Sequence, residues 1–131
     1  MKAASPTLLR QGHRALLTLL FACSAAHGDV TGLQQAEVTH LLEFVRTTTC
    51  TIDRNGTLHD GPSAHAHILK KYDYFRDRIA TTEDFIAYSA TRSTVSNRAY
   101  TVLCPGQPRM ETAAWLKREL ERYRKKQAVG D

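Results

Sequence analysis

The feature that most constrains this chain is the pair Cys50 and Cys104. The third cysteine, Cys23, lies inside an apolar run, ALLTLLFACSAA (Ala15 to Ala26). That run follows the basic residues Lys2, Arg10 and Arg14 and precedes the first acid, Asp29. A basic start, a short apolar stretch and a small-residue end are the layout of a secretory signal peptide. The expectation is that residues 1–28 form a leader removed on export and that residues 29–131 form a single small α+β domain. The run has no polar face to make an amphipathic helix. It is also shorter than the roughly 20 apolar residues needed to cross a bilayer, so no transmembrane span is expected in the mature chain. Ala26-His27-Gly28 suits a cut before Asp29, and Ser24-Ala25-Ala26 suits one before His27. A further reading makes LFAC, Leu20 to Cys23, a lipoprotein signal with Cys23 lipidated, although Phe21 is bulky for its position. The simpler reading discards Cys23 with the leader.

With Cys23 gone, an even cysteine count in an exported chain predicts one disulfide, Cys50 to Cys104. Closing a loop of 54 residues is worth about 4 kcal/mol on the chain-entropy model, a large share of a small domain's stability. Two isolated cysteines without a C-x-x-C pair make a poor metal site. An oxidising compartment favours a bridge over a catalytic thiol. The bridge is also a geometric expectation, since bonded cysteines hold their Cα atoms about 5–6 Å apart. The segments around Cys50 and Cys104 should therefore be neighbours in one small antiparallel sheet.

Local signals fill in the rest. Thr31-Gly32-Leu33-Gln34 has capping-box spacing and predicts a helix start; Val38, Leu41, Leu42 and Val45 then form one apolar stripe. The β-branched run Thr47 to Thr49 should release the chain into a strand at Cys50. Asn55-Gly56 is a strong hairpin signal. Gly61-Pro62 should end the hairpin, with Ser63 capping a second helix striped by Ala64, Ile68, Tyr72 and Phe75. Thr81 to Asp84 opens a short third helix with Phe85, Ile86 and Ser89 inward. Ser89 to Asn97 is rich in Ser, Thr and Asn and reads as a loop. Tyr100 to Cys104 reads as a strand, and Thr112 to Gln127 as a last helix with Leu116, Leu120, Tyr123 and Ala113 inward. The sum is α+β: about four helices packed on a small antiparallel sheet made of the hairpin and a late strand.

The segments CTIDRNG (Cys50 to Gly56), AHAHILKKY (Ala64 to Tyr72), RIATTEDFI (Arg78 to Ile86), AYTVLCPG (Ala99 to Gly106) and AAWLKRELERYR (Ala113 to Arg124), in this order, resemble the YfeK-like family. These are small exported bacterial proteins of unknown function. The resemblance covers nearly all of residues 29–131 and includes both cysteines. It implies a periplasmic place in a Gram-negative envelope and supplies no activity, catalytic residue or ligand. Where the family has a Ser-Gly turn before the late strand, this chain has Ser96-Asn97-Arg98; Asn can stand there through a left-handed φ.

Candidate chemistry is sparse. His59, His65 and His67 are the nearest thing to a metal cluster, but side chains two apart on a helix diverge, so no metal is assigned. Ser89, Ser93 and Ser96 lack a nucleophile elbow and suit ordinary turn chemistry. No dinucleotide or P-loop motif appears, and no cofactor is assigned. Lys117, Arg118, Arg122, Arg124, Lys125 and Lys126 crowd the last helix. Basic residues there complement the helix dipole on a solvated face, in preference to an anionic lipid surface. Without Lys2, Arg10 and Arg14 the formal charge falls from +5 to +2, too small a surplus to imply nucleic acid. Tyr72, Tyr74, Tyr100 and Trp115 belong to the core by default; Tyr74 and Trp115, at the edges of their stripes, have a surface patch as their alternative.

Two functional classes follow. The preferred one is a non-enzymatic envelope protein that binds another protein or an envelope component through the face around the Ser89–Tyr100 loop, with Ser89, Ser93, Arg98 and Tyr100 as candidate contacts and no catalytic residue. The alternative is a small periplasmic hydrolase or transferase whose site joins His67 to a serine of that loop. A concave pocket joining the two, with titration-perturbed groups, would favour the second.

Overall fold

The structure is a computed structural model and describes residues 2–4 and 28–130. The expected leader, its cleavage sites and Cys23 lie outside the described residues. The elements run α1 (Leu33–Thr47), β1 (Thr51–Arg54), β2 (Thr57–His59), α2 (Gly61–Phe75), a 3₁₀ turn (Arg76–Arg78), α3 (Thr82–Ser89), β3 (Thr101–Leu103), β4 (Met110–Glu111) and α4 (Thr112–Val129). The architecture is the α+β one expected: four helices on an antiparallel sheet of order β2-β1-β3-β4.

Chain-local chemistry sets the hairpin. Asn55 and Gly56 both take positive φ, 56° and 86°, which matches a tight turn to the twist of the flanking strands. Asp53 braces it by accepting a hydrogen bond from the Gly56 amide at 2.8 Å. The register β1 to β3 pairs Thr51 with Leu103 and Ile52 with Val102. One step further out, Cys50 faces Cys104, and the two are joined by the disulfide with Cα atoms 4.3 Å apart. Ile52 and Val102, on the sheet's inner face, are buried.

The helical stripes close over that face. Val38, Leu41 and Val45 of α1, Ile68 and Tyr72 of α2, Phe85 and Ile86 of α3, and Leu116 and Leu120 of α4 are all buried in one core. Each such side chain contributes about 1.5–3 kcal/mol by leaving water. Trp115 is buried too and packs at a tilt against Phe44, with ring centroids 4.7 Å apart. Polar locks join the elements. Glu37 of α1 accepts from the Thr82 hydroxyl of α3 and from Arg124 of α4, and Arg124 also reaches Glu83. Asp29 accepts from the Tyr72 hydroxyl at 2.6 Å and from Arg76, which fastens the chain beside buried Val30 to α2.

Three local expectations need correction. The capping box at Thr31 does not form: Gly32, at φ 58°, precedes α1 without a side-chain cap. The Gln34 side-chain oxygen instead accepts from the Thr82 amide at 3.0 Å, so a tertiary donor outcompetes the local one. The second helix is capped by Asp60, whose carboxylate accepts from the Ser63 amide. Gly61 and Pro62 sit inside its first turn, where a missing amide hydrogen costs nothing. Ser89 closes α3 and does not open the loop. At α3 itself the full capping box is present, between Thr81 and Asp84. The strand β4 was not anticipated; two residues carry no readable period.

Candidate functional site

From Thr91 to Tyr100 the chain folds as a tight hairpin. The Tyr100 amide donates to Thr91 O, the Ser93 amide to Arg98 O, and the Asn97 amide to Ser93 O. Asn97 turns the corner at φ 58°, the left-handed geometry the sequence anticipates for it. The Ser93 hydroxyl accepts from the amides of Val95 and Ser96, each at 3.2 Å. At the far end Ser96 donates to the Asn55 side chain at 2.6 Å, tying this hairpin to the β1–β2 turn.

Helix α2 runs alongside. His67, Lys71 and Phe75 recur every four residues and so form one row on its surface. Tyr100 lies under this row. Its hydroxyl and His67 Nε2 share a hydrogen bond of 3.1 Å, and the Lys71 ammonium sits 5.1 Å from its ring centroid. Lys71 Nζ also donates to Arg92 O at 2.5 Å, which pins the hairpin to the helix. Lys71 is only 8% exposed. Burial, then the charges of Arg54 and Lys71, push the His67 pKa down to about 4, so its ring is neutral near pH 7. Burial, then Arg54, lowers Lys71; burial raises the Tyr100 phenol.

Beyond Lys71 a hollow of about 320 Å3 opens between α2, α3 and the hairpin, bounded by Lys71, Phe75, Tyr88, Arg92 and Asn97 among others. A second hollow of about 330 Å3 adjoins it at Phe75 and Thr94 and is completed by Tyr74 and Arg78. Tyr74, on the second hollow, is 81% exposed, and Val95, next to Thr94 in the chain, is 96% exposed. A larger hollow, about 490 Å3, lies elsewhere, between Leu33 and Ala36 of α1 and Tyr123 and Ala128 of α4. The Glu37–Arg124 ion pair on its wall belongs to the lock between helices.

Of the four candidate contacts, Ser89, Ser93 and Tyr100 are buried, and Arg98 is exposed. Periodicity explains the first: Ser89 shares the inward face of α3 with Phe85 and Ile86. Its hydroxyl is buried with no hydrogen-bond partner. Neither Ser89 nor Ser93 is brought to His67 as a nucleophile, since Ser93 serves the turn and His67 is engaged by Tyr100. The hollow beside the hairpin reaches Lys71 but is not lined by His67. His59, His65 and His67 do not converge: among the described residues no three His, Cys, Asp or Glu side chains gather as a metal site would require. No described helix is long and apolar enough to cross a membrane.

Lys71, Arg92 and Tyr88 escaped notice in the sequence. For Lys71 a signal exists: it stands at i+7 from Ala64 and i+3 from Ile68, a core position by spacing.

No characterised protein and no solved structure matches the chain significantly. Residues 33–124, from the start of α1 to the Arg124 lock, match the model of a family of unknown function, DUF5329. The match spans the sheet, both bridged cysteines and the face around the Thr91–Tyr100 hairpin, and the chain belongs to that family.

Proposed function

We propose that this protein is exported to the bacterial envelope, like the YfeK-like proteins it resembles, and acts there as a non-enzymatic binding module through the face around the Ser89–Tyr100 segment. Export is supported by the leader pattern of residues 1–28 and by the Cys50–Cys104 bridge, a bond that persists in oxidising compartments. The observation that carries the binding reading is the exposed apolar and basic face itself. Tyr74 of α2 projects into water beside Phe75, Arg78 and Thr94, and Val95, the residue after Thr94, projects from a hairpin held by its own backbone bonds that also carries exposed Arg98. Exposed aromatics on a rigid support give contact area at low entropic cost. The burial of Ser89, Ser93 and Tyr100 shifts the contact set outward, to Tyr74, Arg78, Val95 and Arg98.

The test is photocrosslinking in intact cells with a photoreactive residue at position 95, alongside intact-mass analysis and fractionation. The expected result is leader-free protein in the periplasm and one dominant crosslink that Tyr74→Ala and Arg78→Glu weaken. Leader-bearing protein in the cytoplasm would overturn the location. Crosslinks no stronger from position 95 than from Lys117, on α4, would overturn the face.

A further inference from the structure

We propose that the hollow between α2, α3 and the Thr91–Tyr100 hairpin binds a small ligand that carries an anionic group, carboxylate or phosphate, on an apolar body. The anion would sit on Lys71 and Arg92 and the body against Phe75 and Tyr88.

Arg46, Arg76, Arg109, Arg122 and Arg124 each form an ion pair with Asp or Glu. Lys71 and Arg92 form none among the described residues. Exposed cations such as Arg78, Arg98 and Lys117 also lack an acidic partner among those residues, but Lys71 is the buried one. It lies almost wholly out of water, with one carbonyl and the face of the Tyr100 ring as partners. Arg92 is exposed and makes one side-chain bond, to the Asn97 amide oxygen at 3.2 Å. A buried ammonium without a counter-ion is unfavourable, and its dehydration is already a cost of folding. An arriving anion gains the attraction without repeating that cost, which is what preorganisation means for affinity. Arg54 adds to the local positive field, since its charge acts on His67, Lys71 and Tyr100 alike.

Size and lining narrow the ligand. About 320 Å3 lies at the small end of ligand pockets, roughly 300–1,000 Å3. It holds one ring or a short chain beside its charged group. Phe75, Ala87 and Tyr88 supply an apolar wall, and Asn97 a polar rim. Burial, then the Arg54 charge, lowers the Lys71 pKa, and an adjacent anion would offset both, so occupancy should raise it. The inference shares this face with the proposed function but needs neither export nor a protein partner.

The experiment is an NMR titration of the purified, disulfide-intact protein. Phenyl phosphate and phenylacetate are the probes, inorganic phosphate tests the apolar wall, and benzyl alcohol is the uncharged control. Saturable shifts centred on residues 71 and 92–97 are expected from at least one aromatic anion, and the stronger of the two identifies the head group. Inorganic phosphate should bind about tenfold more weakly than the better probe, and benzyl alcohol without saturation. Lys71→Met keeps the packing and should weaken the better probe about tenfold, the scale of one charge-assisted hydrogen bond. Lys71→Arg should retain binding. Because Arg92 is exposed, Arg92→Gln folds regardless and should weaken binding about threefold. Absence of saturation with both anions, equal response to benzyl alcohol, or Kd values unmoved by Lys71→Met and Arg92→Gln would overturn the site. Inorganic phosphate binding as well as the aromatic anions would overturn the apolar wall. A failed titration leaves the position-95 crosslink standing, and a failed crosslink leaves the titration standing.

Discussion

Replacing both bridged cysteines, as Cys50→Ala/Cys104→Ala, should cost about 4 kcal/mol. The magnitude follows from where the bridge sits. Thr51 and Leu103 are already paired across β1 and β3, and Cys50 and Cys104 are the next residues outward. The ladder therefore brings the two positions together in the folded state whether or not sulfur joins them. The bond acts mainly on the unfolded chain, in which it closes a loop of 54 residues; the chain-entropy relation for that length gives about 4 kcal/mol at 25 °C. Both cysteines are only partly buried, so the truncated sulfurs add little. Urea denaturation of the oxidised protein and the double variant measures the difference directly. The variant should also show a larger m-value, because its unfolded chain expands further. Its Tm should fall by on the order of 20 °C, at roughly 4–8 °C per kcal/mol for a domain of this size. A loss below about 1 kcal/mol with an unchanged m-value would refute the reasoning. It would mean that the reduced chain keeps these segments together when unfolded, or that the bridge strains the native sheet as much as it restrains the coil.

Glu37→Gln should cost about 2 kcal/mol in the same assay, because a buried acceptor of the Thr82 hydroxyl and two Arg124 bonds loses its charge. The Arg124 hydrogen bonds hold the Glu37 carboxyl below its ordinary range. Its contribution is therefore present above the unfolded pKa and lost as pH falls through the folded one, and Glu37→Gln should flatten the acid limb of the stability profile. His67 has the same pH sense for a different reason. Its folded pKa, about 4, lies below the ordinary 6.5, so the neutral ring's contribution is complete above 6.5 and declines toward 4. The bound is about 3 kcal/mol, reduced by whatever water reaches the ring. Imidazole NMR titration checks it, and a midpoint near 6.5 would contradict the burial argument. Ser89→Ala should be neutral or stabilising by up to about 1 kcal/mol, since it removes a buried hydroxyl without a partner; a loss above 1 kcal/mol in urea denaturation would show that the hydroxyl is bonded in solution.

What could be read from the sequence was whatever depends on near neighbours. Asn55-Gly56 turns because two adjacent residues tolerate positive φ, and the stripes of α1, α2 and α4 follow from spacing alone. The bridge added one long-range constraint, and it was enough to place β1 beside β3. Misreadings arose where a distant group competed. Gln34 has the right spacing to close a box on its own helix, yet Thr82 takes its oxygen. Ser89 could be read either as a loop residue by composition or as an inward residue by periodicity, and periodicity won because Phe85 and Ile86 on the same face are buried. The functional face was least legible because it depends on which charges are left over after pairing. A net charge of +5 says nothing about where the surplus lies. Asp29, Glu37 and Asp53 come from distant segments to meet arginines, and no acid arrives for Lys71. A lysine at a core spacing is the residue-level trace of that imbalance: a long cationic side chain is kept at such a position only if packing, a backbone carbonyl or an incoming anion compensates its burial. The first two are visible here in Tyr100 and Arg92 O, and the hollow that Lys71 lines leaves room for the third.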